Sequence, residues 1–507
     1  MLRLALIISL VSYCVPVFSQ TTTISRIFPG NRKSIPLEII NNHPNYFFLL
    51  RYNKEIHDLT IERRAKPDAE ILSFCALRLD SVNATWFDYE KLDHLFFEYN
   101  NRVYFFFEKI LNSKRSVFLK AIDTTGRSTG FLELLTLEKD KNTLEVHFEY
   151  LLTAGKNLLI IAKQEFVNGS IKKTAFLFNL ETRQIIWSKK LPIENAYTGY
   201  ATAYECNAEG DLFFVFIKSR ISSFKRKYID HAQMQVPVFF YESVTLCSIL
   251  GTGNELHEVV LPLQNFTGLH SISLLPIFDD LICTAHYNEM DTLDREQVYF
   301  FTERFAKDLS MSRYVSYFPL LDKLATQLTY YDGTDQASAS DKDFTLYHRV
   351  YRGGYLYNFA ERKDDTFYKE ILFWKINTTT GAVADQAIIP RKIFFFGDRT
   401  RFKSIGEVAH IFCGAALYSL VLENRDNQQQ KPGEYRFKSF AKQRQLDGGN
   451  LTLYSLEPNG TLQKKGNYTN ADFDFVPLKY QSDQSDFVFY LSKGRAEKFA
   501  ILRWNPL

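Results

Sequence analysis

The chain contains 507 residues, which is enough for two ordinary domains or for one large closed architecture. Its composition, 46% hydrophobic and 23% charged, is that of a folded globular protein and excludes an intrinsically disordered chain. A formal net charge of +3 gives no overall signal for polyanion binding, and 45 Phe with 29 Tyr favour strands over helices.

The N-terminal residues have the pattern of a cleaved secretory signal. Arg3 supplies a positive charge, a short apolar run extends to Phe18, and Ser19 is a small residue at the expected cleavage site. We therefore predict a signal peptide over 1–19 and a secreted or periplasmic mature chain, 20–507. No later segment approaches the roughly 20 consecutive apolar residues of a transmembrane helix, so none is expected after cleavage.

A pair of apolar runs joined by a short polar turn recurs along the mature chain. Gly, Asn and Asp at these turns accept the positive φ that tight connections require, so each pair is predicted to be a β-hairpin. Further apolar runs, such as Ala175–Leu180 followed by Gln184–Trp187, complete units of four antiparallel strands. The hairpins are predicted to begin at Pro36, Leu95, Leu144, Tyr200, Ile272, Phe344, Phe402 and Phe473.

Repeated four-stranded units of this length are typical of a β-propeller. We predict an all-β fold, a single propeller domain of four-stranded antiparallel blades, with eight blades favoured and seven possible. A pair of β-sandwiches would not need the same unit so many times, and a solenoid would need shorter repeats. The last unit lacks a fourth strand, which Thr22–Phe28 could supply, closing the ring between the two ends of the chain.

Three segments depart from the repeat. Residues 318–329 have apolar positions at helical spacing and predict a short helix between the fifth and sixth units. Residues 218–239 and 422–450 are long insertions between the second and third strands of their units. Connections of that type share one face of a propeller, so we expect the two insertions on the same face, where loops of this length often bind ligands.

Both insertions combine cations with aromatic residues, a mixture that can bind anionic groups, sugar rings or flat partners. Segment 218–239 has five Lys or Arg against one Asp, a net charge of +4, and segment 422–450 has a net charge of +2. The predicted ligand-binding residues are Lys225, Arg226, Lys227, Tyr228, His231, Tyr435, Arg436, Lys438 and Arg444.

Motifs that would identify an enzyme are missing from the sequence. There is no G-x-S-x-G, H-E-x-x-H, P-loop or G-x-G-x-x-G signature, and no CxxC pair. The carboxylates at Asp332, Asp335, Asp341 and Asp343 lack the order of an EF-hand loop, so a solvated loop is expected there rather than a calcium site. No metal site and no cofactor are predicted.

The repeated hairpins resemble those of secreted bacterial β-propeller proteins over nearly the whole mature chain. The likeness is one of pattern and implies only the fold and the export, so no functional residue is carried over. We expect an exported, monomeric, non-enzymatic binding or scaffolding propeller that recognises a protein, peptide or glycan. The alternatives are a glycosidase or lyase with carboxylates at the central channel and a structural component of the cell envelope. Nucleic acid is not an expected partner because the net charge is small and the chain is exported.

Overall fold

The computed structural model describes residues 18–506 apart from 30–33, 42, 54, 56–57, 79–93, 112, 124, 154–156, 196–198, 230–231, 264–265, 291–295, 320–343, 365–366, 390–392, 395–408, 414–415, 425–448, 458–460, 469–473, 477–478, 483–485 and 494–495. The described residues form strands, turns and irregular connections, with no helix among them. In these ranges, accordingly, no helix is long and apolar enough to cross a membrane.

The strands follow one another as eight four-stranded antiparallel units, which we number in chain order. Before unit one lie β1 (Phe18–Ile24) and β2 (Phe28–Pro29). Unit one comprises β3 (Ser34–Asn41), β4 (Tyr46–Asn53), β5 (Asp58–Ala65) and β6 (Ile71–Ala76). Unit two comprises β7 (His94–Tyr99), β8 (Arg102–Leu111), β9 (Lys114–Asp123) and β10 (Leu132–Glu138). Unit three comprises β11 (Thr143–Leu152), β12 (Leu158–Phe166), β13 (Ser170–Asn179) and β14 (Gln184–Lys190).

The second half of the chain repeats this order. After the short β15 (Glu194–Asn195), unit four comprises β16 (Gly199–Cys206), β17 (Leu212–Ile229), β18 (Ala232–Ile249) and β19 (Leu256–Val260). Unit five comprises β20 (Phe266–Ile277), β21 (Asp280–Met290), β22 (Glu296–Ala306) and β23 (Ser312–Pro319). Unit six comprises β24 (Phe344–Arg352), β25 (Tyr355–Asp364), β26 (Phe367–Asn377), β27 (Val383–Ile389) and the short β28 (Ile393–Phe394). Unit seven comprises β29 (Ala409–Cys413), β30 (Ala416–Asn424), β31 (Gly449–Leu456) and β32 (Leu462–Tyr468). Unit eight comprises β33 (Asp474–Val476), β35 (Asp486–Lys493), β36 (Ala496–Pro506) and β1, while β34 (Lys479–Ser482) pairs with β3.

The ring confirms the predicted all-β propeller of four-stranded antiparallel blades. Counted as hydrogen-bonded sheets it has seven blades, the smaller of the two numbers that the sequence allowed. The eight hairpin units are compatible with seven sheets because β15 pairs with both β13 and β16, which joins units three and four into one nine-stranded sheet.

The buried faces explain why the strands have these sequences. The middle strands lie between two neighbouring units and contain long apolar runs, as in Leu158–Ala162 of β12, where every residue is buried. The outermost strand faces solvent on one side, so β14 alternates buried and exposed residues near Trp187. Among the residues that the structure describes, seven hydrophobic clusters each contain residues of two consecutive units, and one of them joins unit eight to unit one.

The two ends of the chain close the ring by strand pairing. β1 is antiparallel to β36 from Phe18 opposite Pro506 to Ile24 opposite Ala500, which supplies the outermost strand of the last unit. β2 also pairs with β36. The predicted strand Thr22–Phe28 therefore has the right role and the wrong bounds, and the C-terminal strand β36 is paired on both sides, by β35 and by β1.

Buried charges reinforce this closure between units one and eight. The Arg51 guanidinium lies 3.1 Å from Glu62 Oε1 and 2.7 Å from Glu497 Oε1, and Arg64 Nη2 lies 2.6 Å from Glu62 Oε2. The Tyr490 hydroxyl donates to Glu497 Oε2 at 2.9 Å. Burial alone would lower the pKa of Arg51, but Glu62 and Glu497 raise it above its usual value. The network holds two guanidinium groups charged inside the protein.

The structure corrects one predicted strand and leaves two predictions open. The first strand of the hairpin predicted to begin at Phe402, residues 402–405, lies outside the described residues, and its predicted second strand corresponds to β29, which begins at Ala409 and pairs with β30. The run predicted as one strand from Phe473 to Tyr480 is divided, since β33 pairs within unit eight and β34 pairs in parallel with β3. The predicted helix over 318–329 lies outside the described residues except for its first two, which end β23.

Candidate functional site

An extended hairpin in unit four is the largest departure from the propeller repeat. β17 and β18 each contain 18 residues, whereas their neighbours pair with them only at the base. β16 reaches as far as Lys218 on β17, and β19 reaches back to Thr245 on β18. We call the two-stranded extension, residues 219–229 and 232–241, the arm. At about 3.3 Å per residue its 11-residue strand spans about 35 Å.

The pairing register continues through the arm to its end. Ser219 lies opposite Tyr241 and Ile229 lies opposite Ala232, with register shifts between Lys218 and Ser219 and between Ile221 and Ser223. Such bulges increase the twist of a ribbon and change its direction, so the arm is expected to leave the plane of its blade. The insertion predicted as a loop over 218–239 is thus an antiparallel β-ribbon for most of its length.

The base of the arm is fixed to the ring by packing rather than by charge. The ring of Tyr241 stacks on that of Phe266 in unit five, with centroids 5.9 Å apart. Burial raises the pKa of Tyr241, as expected for a phenol at a packed interface. Lys218 and Arg220 lie 3.3 and 3.8 Å from carboxylate oxygens of Glu242, but both cations are more than half exposed, so these pairs contribute little stability.

The predicted ligand-binding residues of this insertion fall in the distal half of the arm. Lys225, Arg226, Lys227 and Tyr228 are consecutive residues of β17, opposite 236, 235, 234 and 233 of β18 in that order. His231, between the two strands, is outside the described residues.

The other predicted residues belong to unit seven. Tyr435, Arg436, Lys438 and Arg444 lie outside the described residues, between the end of β30 at Asn424 and the start of β31 at Gly449. The second insertion therefore connects the second and third strands of its unit, as predicted. The structure does not bring its residues into a described contact with the arm.

A second group of functional interest lies where the first strands of units four, five and six adjoin. These strands are β16, β20 and β24, and β20 contacts both of the others. Arg349 on β24 donates from Nη1 to the carbonyl oxygen of Leu274 on β20, at 2.6 Å. Glu205 on β16 is close enough to Arg349 for each charge to shift the pKa of the other.

Glu205 has unusual acid–base properties for a carboxylic acid. Burial raises its pKa to about 7, and the backbone N–H of Cys206 and the charge of Arg349 oppose only part of that rise. Burial also lowers the pKa of Arg349, while Glu205 and Cys283 act in the opposite direction. A carboxyl group that is half ionised near neutral pH can donate or accept a proton.

Sequence reasoning missed the Glu205–Arg349 pair. Neither residue belongs to a motif, and the pair exists only because the ring places the first strands of units four to six together. One local signal is the register shift between Thr202 and Glu205, where Ala203 has a positive φ of 53°. Such a bulge redirects a side chain, but its position could not be identified from the sequence.

The described residues offer no metal site. No group of three or more His, Cys, Asp or Glu side chains among them could hold an ion. The carboxylates at Asp332, Asp335, Asp341 and Asp343 are outside the described residues. Four cysteines whose side chains the structure describes, Cys75, Cys206, Cys247 and Cys283, are buried free thiols whose pKa values are raised by burial. Raised pKa values make these thiols poor metal ligands and poor nucleophiles.

No protein-family model matches the chain, and no curated protein matches it. Among similar solved structures is the β-propeller domain of Nup133 from Vanderwaltozyma polyspora, at 10% identity and a TM-score of 0.34, covering 81% of this chain and 100% of that one. A mutant of Synechocystis ACO has 8% identity and a TM-score of 0.32, covering 88% and 89% of the two chains. An α-L-arabinanase of Cellvibrio cellulosa complexed with arabinohexaose has 8% identity and a TM-score of 0.24, covering 59% and 98%. At these values the similarities assign no function to this chain.

Proposed function

We propose that this protein is an exported, non-enzymatic binding propeller whose arm binds an acidic segment of a partner protein. The observation that carries the proposal is the arm itself, a ribbon about 35 Å long whose described ring contact, between Tyr241 and Phe266, lies at its base. An extension of this kind adds nothing to the closure of the ring. Its length is better explained by contact with another molecule.

The chemistry of the arm favours an acidic, extended partner. Segment 218–239 has a net charge of +4, on a chain whose total formal charge is only +3. Among the described strands no third strand pairs with the arm beyond Ser219 and Tyr241, so its edges offer backbone donors and acceptors to an added strand. Backbone pairing would supply affinity and the positive charge would select the partner and accelerate the encounter.

Export is part of the proposal and rests on the N-terminal pattern. Residues 1–19 carry the features of a secretory signal, and β1 begins at Phe18. Cleavage after Ser19 would leave Gln20–Ile24 of β1 to pair with β36. The mature protein would then close its ring outside the cytoplasm.

Charge reversal in the arm tests the binding function. The variant Lys225→Glu, Arg226→Glu, Lys227→Glu is compared with the control Lys139→Glu, Lys141→Glu, Lys172→Glu, which changes the total charge equally at three exposed lysines of units two and three. Binding of fluorescein-labelled poly-L-glutamate is measured by fluorescence anisotropy. We expect the arm variant to raise the Kd at least about tenfold and the control to change it less than about threefold. Equal loss in both variants, or no loss in the arm variant, would reject the arm as the binding element.

A second candidate function, a glycosidase or lyase, is favoured by one observation. Glu205 has a pKa of about 7 and lies on the first strand of its unit, which suits an acid–base group at the channel. Release of product from a panel of polysaccharides by the purified protein, abolished by Glu205→Gln, would support an enzyme. No released product at any pH from 5 to 8 would exclude it for those substrates.

A further inference from the structure

Two rows of side chains cross units five and six in register. The row of unit five consists of Ser273, Thr284, Thr302 and Ser316, each directly opposite the next on β20 to β23. The row of unit six consists of Arg349, Asn358, Trp374 and Gln386, likewise opposite one another on β24 to β27. Directly opposite residues of antiparallel strands lie on one face of the sheet, so each row runs from the first strand of its unit to the fourth.

Contacts on both sides of Thr302 show that the two rows face each other. Two residues before it on β22, the ring of Phe300 contacts that of Trp374, with centroids 4.6 Å apart. Two residues after it, Arg304 donates from Nη1 to the carbonyl oxygen of Thr378, at 2.8 Å. Both contacts join unit five to unit six, so the face of β22 that carries Thr302 is turned towards β26.

The two rows also face each other at their inner end, on the first strands β20 and β24. Arg349 donates to the carbonyl oxygen of Leu274, the residue after Ser273 on β20. Arg349 lies opposite Asn358, which lies opposite Trp374. Contacts between the units therefore occur at the inner strands and at the third strands, and the second-strand residues Thr284 and Asn358 lie between them.

The middle of this interface contains polar groups without protein partners. Six buried atoms have no hydrogen-bond partner in the part of the chain that the structure describes: Ser273 Oγ, Thr284 Oγ1, Thr302 Oγ1, Asn358 Oδ1, Asn358 Nδ2 and Trp374 Nε1. The five residues that carry them are between 0% and 8% exposed. Each unsatisfied buried group costs about 1–3 kcal/mol, so six of them together would be comparable with the whole stability of an ordinary domain.

The chemistry of the six atoms defines what could satisfy them. They include donors, acceptors and hydroxyls that can act as either, and none carries a charge. An ion would leave part of such a mixed set unsatisfied, whereas water can donate to some members and accept from others. Two buried titratable residues on the same faces, His286 and Glu370, have interactions of their own.

We propose that the interface between units five and six holds a line of at least two ordered water molecules, bound by these six atoms. Neighbouring members of a row have Cβ atoms about 4.5–5.5 Å apart, which matches two hydrogen bonds of about 2.8 Å through one water. A buried water needs two to four polar partners, and the two rows provide them on opposite sides. The line runs from Ser273, on the first strand of unit five, towards Trp374, on the third strand of unit six.

A crystal structure of the mature chain at a resolution that shows ordered solvent tests the proposal directly. We expect at least two waters, each within about 3.2 Å of two or more of the six atoms. If the electron density shows no water between the rows, the proposal is overturned. This measurement needs no variant, so it stands even if substitutions in the interface prevent folding.

Threonine-to-valine substitutions give an independent test. The sign of the change in melting temperature distinguishes a hydrated interface from a dry one. Thr302→Val and Thr284→Val each remove a hydroxyl with little change of shape. Thr378→Val is the matched control, because its buried hydroxyl donates to the carbonyl oxygen of Gly354 at 2.9 Å. If water binds Thr302 and Thr284, each of the three variants should lower the melting temperature by about 1–2 °C. If the interface is dry, removing an unsatisfied hydroxyl should raise the melting temperature. A melting temperature that rises or stays unchanged for Thr302→Val would therefore overturn the proposal.

Discussion

Glu205 shows how the ring gives one side chain properties that its local sequence does not indicate. It follows an ordinary strand residue, Tyr204, and precedes a buried cysteine, yet burial raises its pKa to about 7, and the charge of Arg349 offsets only part of that rise. The unfolded chain releases the same proton near pH 4.3. Between these values the folded protein binds more protons than the unfolded chain does.

The pH dependence of stability should report this difference. Stability contributed by protonated Glu205 is fully present below about pH 4.3 and is lost as the pH rises through about 7. We expect the melting temperature of the wild type to fall more between pH 5 and pH 8 than that of Glu205→Gln, whose side chain cannot ionise. Differential scanning fluorimetry at matched ionic strength measures both profiles. Parallel profiles would mean that Glu205 has no raised pKa in the folded protein.

At the scale of elements, the arm depends less than its blade does on pairing with the rest of the molecule. The residues of the arm pair with one another, whereas Lys218 and Ser243 at its base belong to the part of the hairpin that β16 and β19 flank in unit four. Tyr241 is the described residue of the arm that stacks on a neighbouring unit. The ring should therefore tolerate loss of the arm.

Replacing residues 219–242 with Asn-Gly shortens the hairpin at a pair that is already in register. Lys218 lies opposite Ser243, and Asn-Gly supplies the positive φ values of a two-residue turn. We expect a soluble, folded protein that no longer binds poly-L-glutamate, with a melting temperature within about 5 °C of the wild type. Circular dichroism and size-exclusion chromatography check the fold. A shortened protein that aggregates or unfolds would show that the arm is required for the ring.

The elements that sequence reasoning found are those encoded locally. The predicted starts of hairpins with Gly or Asn turns, such as those near Leu144 and Phe344, agree with the structure within one residue, because turn chemistry and apolar runs occupy the same short segment. The run at 473–480 was predicted as one strand because its division depends on a distant partner, β3, with which β34 pairs.

The candidate site, too, could be predicted from the sequence only in part. The length and charge of segment 218–239 were visible in the sequence, although its ribbon structure was not. The Glu205–Arg349 pair and the polar rows of units five and six depend on contacts between units, which no single stretch of sequence records.

At the scale of the whole molecule, stability depends on how unit eight meets unit one. Glu497 accepts from Arg51 and from Tyr490, and both Arg51 and Glu497 are at most 5% exposed. Removing the charge of Glu497 would leave Arg51 with Glu62 as its remaining carboxylate partner among the described residues. A buried charge without full compensation is strongly destabilising.

We expect Glu497→Gln to destabilise the protein by about 3–5 kcal/mol, the usual cost of breaking a buried ion pair. The exposed pair of Lys114 and Glu138, 2.8 Å apart on unit two, provides the control. Glu138→Gln should change stability by less than about 1 kcal/mol. Urea denaturation of the three proteins measures the difference, and equal midpoints for the two variants would contradict a role for the network in closure.

Closure of the ring by β1 and β36 is the central claim about the whole molecule. Thr21 and Arg503 are directly opposite in this pairing, which puts their Cα atoms about 4.5–5.5 Å apart, within the range of a disulfide. The most direct test is mild oxidation of Thr21→Cys, Arg503→Cys, with Thr21→Cys, Lys498→Cys as a control displaced by about 17 Å along the strand. Closure predicts an intramolecular disulfide in the first variant and none in the second, as read by mobility on non-reducing gels and by mass spectrometry. No cross-link in the first variant, or equal cross-linking in both, would contradict the closed ring.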